Sequence, residues 1–265
     1  MFQKLVLIGA IALVSLALAA KLPNSRPETF IVGGRNATPN EFPWLVRFTV
    51  LDAAGDSRFC TGALIALNVV LTSASCVRDN SRPITVVAGD HLLLEEDGTE
   101  VSIASQEVTL HEDFNSTSLE NDIALIHLSS SFQQNAAIQP VQLPNATDDP
   151  EASGYAFIAG WGETSLDAEE EGTLSAILRT AEVIVSTGNF VCEALYGISL
   201  PEGQFCTSGS GGAKGDRGAP LICHSTKNVT CGVLSHTWLD ISGLRTNVGG
   251  WVKVNEYLDW ILQHL

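Results

Sequence analysis

Trp44-Leu-Val-Arg-Phe-Thr-Val-Leu51, Thr61-Gly-Ala-Leu-Ile-Ala-Leu67 and Val69-Val-Leu-Thr72 decide the architecture of this chain. Each is a short apolar run, too brief for an ordinary helix, and turn-forming residues separate them. The same texture continues outward through Ile84–Ala88, Ile123–Leu128, Ala156–Gly160, Ala181–Val185, Pro220–Cys223, Gly232–Ser235 and Gly250–Val254. With 23 glycines as punctuation and no internal repeat, this spacing predicts an all-β barrel or sandwich. Only the tail reads differently. Tyr257, Leu258, Ile261, Leu262 and Leu265 recur at helical spacing, with Asn255 placed to cap them. A terminal helix packed on the last β unit is expected.

The first residues have another character. A single base, Lys4, precedes an apolar run to Ala20, and Ala17-Leu-Ala19 is a small-x-small cleavage signal. Residues 1–19 therefore read as a signal peptide and 20–30 as a short propeptide, with the main domain over 31–265. No second apolar run is long enough to span a bilayer. Six cysteines fit three disulfides in an oxidising compartment. Four N-x-S/T sequons, at Asn36, Asn115, Asn145 and Asn228, agree with secretion.

The formal charge is −16, and no Lys or Arg occurs between Pro83 and Leu178. Acids cluster at Glu95-Glu-Asp97, Asp148-Asp149 and Glu169-Glu-Glu171. Such a surface repels nucleic acid and anionic membranes. It suits a basic protein partner, or simply keeps a monomer soluble.

Several segments together resemble the chymotrypsin/trypsin-like serine proteases. Ile31-Val-Gly-Gly34 looks like the new N-terminus made on zymogen activation. Leu71-Thr-Ser-Ala-Ser-Cys76, Asn121-Asp-Ile-Ala-Leu125, Gly160-Trp-Gly162, Gly215-Asp-Arg-Gly-Ala-Pro220 and Val252–Trp260 follow in family order. The resemblance implies two packed six-stranded antiparallel β-barrels, a C-terminal helix and a cleft between the barrels. It also implies disulfides Cys60–Cys76 and Cys192–Cys206. The family partner of Cys223 is missing near Ala156, so a local Cys223–Cys231 bond across a hairpin is expected instead. The bridge that normally braces the specificity pocket is absent, with Ala213 at one of its positions.

Carried over residue by residue, the resemblance leaves a degenerate triad. Ser75 stands where the base histidine belongs and Arg217 where the nucleophilic serine belongs; only Asp122 is kept. A guanidinium is protonated at any ordinary pH and offers no lone pair. A serine hydroxyl is no base near neutrality. The backbone of Gly215 and Arg217 is what is left of an oxyanion hole. Arg217 is expected to reach across and pair with Asp122, whose buried charge needs a partner. A mouth in which Lys214 and Arg217 bind an anion is the second expectation.

The remaining sites follow from the same alignment of motifs. Ile31 and Asp216 match the activation pair, although Phe30 precedes the scissile bond where trypsin-activated zymogens carry Arg or Lys. Gly211, Ser235, His236, Thr237 and Gly249 fall at pocket positions and imply weak binding of apolar or small side chains. Asp90, Glu96, Asp97 and Glu100 resemble a calcium loop of some trypsins; no other cofactor is implied.

The leading functional expectation is a secreted serine protease homologue without catalysis. It would bind a protein partner as regulator, cofactor or decoy in an extracellular proteolytic or defence cascade. One rival is a hydrolase with a rebuilt site, using Ser73 or Ser75 with His236. The other is an acidic secreted binding or carrier protein unrelated to proteolysis.

Overall fold

The computed structural model describes residues 34–163, 174–186, 192–194, 197–209, 212–223, 228–238 and 248–265. The segments expected to be signal peptide and propeptide, with Phe30, and also Ile31 and Gly211, lie outside them. The strands are β1 (Arg35–Asn36), β2 (Leu45–Leu51), β3 (Ser57–Ala66), β4 (Val69–Thr72), β5 (Thr85–Ala88), β6 (Val101–Leu110), β7 (Ala124–Leu128), β8 (Tyr155–Gly160), β9 (Arg179–Val185), β10 (Gln204–Gly209), β11 (Pro220–Cys223), β12 (Thr230–Trp238) and β13 (Val248–Lys253). Helices α1 (Ala74–Val77) and α2 (Pro150–Ser153) are short, and α3 (Leu258–Gln263) ends the fold.

Two closed antiparallel barrels result. The first runs β2-β3-β4-β7-β6-β5. The second runs β8-β9-β10-β13-β12-β11 and is closed by the β8–β9 pairing, with β1 added outside β9.

Some strands are apolar on nearly every residue because alternate side chains serve two cores. In β4, Val70 enters the first barrel while Val69 and Leu71 face the seam between barrels. In β7, Ala124, Ile126 and Leu128 fill the barrel and Leu125 faces the seam. The second barrel answers with Val233 of β12 and Val252 of β13 at the seam, while Leu234 and Trp251 point into its own core. The seam matters for function because Asp122 immediately precedes Ile123 and Ser75 follows β4.

Besides the two-residue β1, two strands escape sequence reading. β6 carries Ser102, Ser105, Gln106 and Glu107, and half of its residues are exposed and none is buried. β10 is buried yet reads Gln-Phe-Cys-Thr-Ser-Gly. The tail also differs from expectation. A 3-10 turn over Val254–Tyr257 precedes α3, and the helix lacks a side-chain cap. Asn255 lies inside that turn, with its Oδ1 buried and unpartnered. Tyr257 and Ile261 pack on the seam, touching residues of both barrels, whereas Leu262 and Leu265 are exposed.

The three expected disulfides are all present: Cys60–Cys76, Cys192–Cys206 and Cys223–Cys231, with Cα–Cα distances of 6.4, 6.3 and 5.8 Å. They fit an oxidising compartment. No helix among the described residues is long and apolar enough to cross a membrane.

Candidate functional site: a degenerate protease cleft

β4 leads into α1, and Ser75 arrives there buried, beside the Cys60–Cys76 bond. Asp122 enters from the turn before β7 and is fully buried. Its Oδ1 accepts from the Ser75 backbone N–H at 2.6 Å. Its Oδ2 accepts from Ser75 Oγ at 2.8 Å and Ser235 Oγ at 2.5 Å. Burial pushes the Asp122 carboxyl up from its ordinary range, against the pull of these hydrogen bonds and of the Arg217 charge.

The expected Asp122–Arg217 ion pair is not formed. The Ser75 N–H and the Ser75 and Ser235 hydroxyls engage both carboxylate oxygens without a cation. Arg217 has neither a side-chain hydrogen bond nor an ion pair among the described residues. The two charges still feel each other: Asp122 favours the charged guanidinium while burial opposes it, and the net effect lowers the Arg217 pKa.

The Arg217 backbone, in contrast, is held firmly. Thr61 N–H donates to the Arg217 carbonyl at 2.9 Å, and Thr61 Oγ1 donates to the Gly215 carbonyl at 3.1 Å. Gly215 and Gly218 bracket this loop with φ of +102° and +84°, a region that favours glycine. A Cβ on Gly218 would also overlap Thr72 Oγ1 and the Thr61 carbonyl. The backbone N–H groups of Gly215 and Arg217 make no hydrogen bond among the described residues.

Arg217 opens onto a cavity of about 370 Å³ lined by Arg58, Phe59, Ala213, Lys214, Gly215, Leu234, His236 and Thr237 besides itself. Thus His236 and Thr237 do line the pocket. Ser235 is fully buried behind it. Gly249 is not among the lining residues; it packs on Trp251, whose Nε1 would lie 2.7 Å from an added Cβ. Arg58 is a lining residue that sequence reading missed. It belongs to the start of β3 and donates to the Ser75 and Cys76 carbonyls at 2.9 and 3.1 Å. No local motif marks it.

His236 is tied to the same network. Ser235 has committed its proton to Asp122, so the 3.1 Å contact assigns a proton to His236 Nδ1 and leaves Nε2 with its lone pair. Burial, aided by the Arg217 charge, lowers the His236 pKa to about 4, so the ring is neutral at physiological pH.

Asp216 is fully buried and accepts backbone N–H bonds from Gly162 at 2.7 Å and Ala213 at 2.9 Å. Its carboxylate packs so closely on Gly160 and Gly162 that neither could carry a side chain unmoved. Burial raises its pKa to about 6.

Of the calcium-loop residues, Asp90, Asp97 and Glu100 converge, with one ligand atom each lying within 4.8 Å of the others. Glu96 is not in the group. The Arg47 guanidinium pairs with Asp90, and Asp97 Oδ2 is taken up by the His91 and Leu92 N–H groups at 2.7 and 2.8 Å. Asp90 thus already carries an internal cation, while its Oδ1 is buried without a partner among the described residues, and no function is routed through a calcium ion. All four sequon asparagines are exposed, as a glycan requires.

The family model described as Trypsin matches residues 31–261. Human cathepsin G is 31% identical over 250 residues, covering 93% of this chain and 91% of the relative. Brachyurin of Leptuca pugilator is 34% identical over 235 residues, covering 87% and 96%. Among solved structures, one described as the structure of GrC superposes with a TM-score of 0.76 at 26% identity, covering 88% of this chain and 98% of that one. HL collagenase gives 0.74 at 27%, covering 88% and 97%. Two barrels, a seam that delivers Asp122 and a glycine-framed loop at the nucleophile position thus accompany similarity along nearly the whole domain: the chain belongs to the trypsin-like serine protease family.

Proposed function

We propose that this protein is a secreted, non-catalytic member of its family that acts by binding a protein partner, as a regulator, cofactor or decoy in an extracellular proteolytic cascade. What supports the reading most is the pair of side chains at the two reacting positions. Acyl transfer needs a hydroxyl oxygen beside a base that can take its proton. Here the hydroxyl side chain, Ser75, occupies the base position with its proton directed at Asp122, and the nucleophile position holds a cation.

A rebuilt site is disfavoured on access. His236 offers a bare Nε2, but Ser73, Ser75 and Ser235 are each at most 2% exposed. A buried oxygen cannot reach a peptide carbonyl.

The test is labelling of the purified, processed protein with a fluorophosphonate serine probe, alongside the Ser75→His plus Arg217→Ser double variant. The natural protein is expected to stay unlabelled and the double variant to label. Covalent labelling of the natural protein at a mapped serine would overturn the proposal.

A further inference from the structure

We infer that the degenerate cleft is a carboxylate-binding pocket, in which Arg217 receives a single negative charge from an acidic peptide segment of a partner protein. This rests on the non-catalytic reading and names what the same site would hold.

The donor set has three parts. Arg217 is a partly buried guanidinium without a hydrogen bond or ion pair among the described residues, in a protein whose formal charge is −16. The N–H groups of Gly215 and Arg217, equally unengaged, belong to residues that line the same cavity. They lie in a turn whose glycines, Gly215 and Gly218, have positive φ, a backbone geometry in which free N–H groups favour anions. Finally, the loop is anchored at both carbonyls by Thr61, so the donors are held before a ligand arrives.

The charge count sets the valence of the ligand. Three cations line the cavity. Lys214 lies 3.2 Å from Glu163, and Arg58 shares Asp79, at 3.5 Å, with Arg78, at 3.0 Å. With Arg78 and the buried Asp122 counted, four cations face three carboxylates, so one negative charge balances the pocket. A dianionic phosphoryl group would bring a second charge into a cleft already backed by the buried Asp122. A planar carboxylate also suits the two-pronged guanidinium. Beside Thr237, Phe59 and Ala213 supply an apolar stretch of wall for the methylenes of a Glu side chain or the flank of a peptide end.

His236 does not compete for this charge. Its neighbours are the Ser235 hydroxyl on Nδ1, the Trp238 ring at a centroid distance of 4.0 Å, the Gly250 backbone and the Arg217 charge. None of them is an anion that would offset burial and the Arg217 charge, and the ring stays neutral.

Two sources present the required group: an Asp or Glu side chain, and the free terminal carboxylate of a polypeptide. The experiment uses fluorescent hexapeptides read by anisotropy with the full processed protein. One has capped ends and a central Glu. One has neutral side chains and a free terminal carboxylate. A third has a phosphoserine, and the fourth is neutral and capped. Binding of the first or second, weakened at least about tenfold in the Gln or amide analogue, is expected. The same loss is expected in Arg217→Gln, which keeps a polar donor while removing the charge. Arg35→Gln, at a distant surface ion pair, serves as the control for net charge. Preference for the phosphopeptide over both carboxylates overturns the monoanion assignment. No binding by any peptide, or binding indifferent to Arg217→Gln in a variant with unchanged circular dichroism, overturns the site.

Mass spectrometry of the same mixtures separates the two claims. Cut peptide would sink the non-catalytic reading, whereas intact, unbound peptide sinks only the carboxylate pocket.

Discussion

Asp122 and Arg217 face the same cleft, one from the first barrel and the other from a loop of the second, and their surroundings are opposites. The carboxylate is fully buried, and both its oxygens are taken by Ser75 and Ser235. The guanidinium has a clamped backbone but a side chain without a hydrogen bond or ion pair among the described residues. Ser75 thus satisfies the carboxylate locally, with a hydroxyl and a backbone N–H. The cation is not satisfied in this way. A group that folding leaves unsatisfied is one that a ligand can satisfy, and the cleft's remaining capacity is concentrated there.

The largest effect should come from the frame around Arg217. Gly218→Ala combines a disfavoured φ with overlap against the Thr61 carbonyl and Thr72 Oγ1, and should cost about 4 kcal/mol in urea unfolding. A cost below about 1 kcal/mol would mean that the loop yields and is not preorganised.

On the acid side, Asp122→Ala strands the Ser75 N–H and two hydroxyls and should cost about 3 kcal/mol by the same measurement. A neutral outcome would remove the contrast between the two ends of the cleft.

Asp216 offers a third environment, a buried carboxylate with two N–H bonds. Its folded pKa of about 6 lies above the ordinary 3.8. Below about pH 4 both folded and unfolded states hold the proton, so the group's contribution is fully present. As pH climbs, the unfolded state releases its proton first, and about 3 kcal/mol of stability is lost by the time pH passes 6. Melting temperature should fall across that window, and Asp216→Asn should flatten the fall. An unchanged slope in the variant would assign it to other groups.

Smallest and opposite in sign, Arg217→Leu should stabilise the fold by about 1 kcal/mol, because it removes a desolvated charge without breaking a contact. Destabilisation would reveal a partner for the guanidinium in solution.

Much of the architecture is legible in the sequence, because strands such as Val69–Thr72 and Pro220–Cys223 are short apolar runs bounded by turn residues. β6 and β10 are not, since one has no buried residue and the other buries Gln204, Cys206 and Thr207 through specific partners that no periodicity announces. Leu262 and Leu265 mislead in the other direction: helical spacing marks a face, but α3 is too short and too near the last residue to bury all of it.

In the cleft, the identities at 75, 122 and 217 are plain from the motifs, while their pairing is not. Which of several donors reaches Asp122 depends on ångström-scale reach, and Ser75 and Ser235 arrive from segments distant in sequence. Arg58 is invisible for the same reason. Its role comes from the proximity of β3 to α1 and not from any neighbour in the sequence.

The disulfides carry a consequence for biogenesis. Their spans, Cys60–Cys76, Cys192–Cys206 and Cys223–Cys231, join residues 16, 14 and 8 positions apart, and none encloses or crosses another. Six cysteines permit 15 pairings, yet this one joins each odd-numbered cysteine in order to the one that follows it. Every bond can thus be completed as its two cysteines emerge in chain order, before the following pair exists to compete, and maturation has little need of disulfide reshuffling.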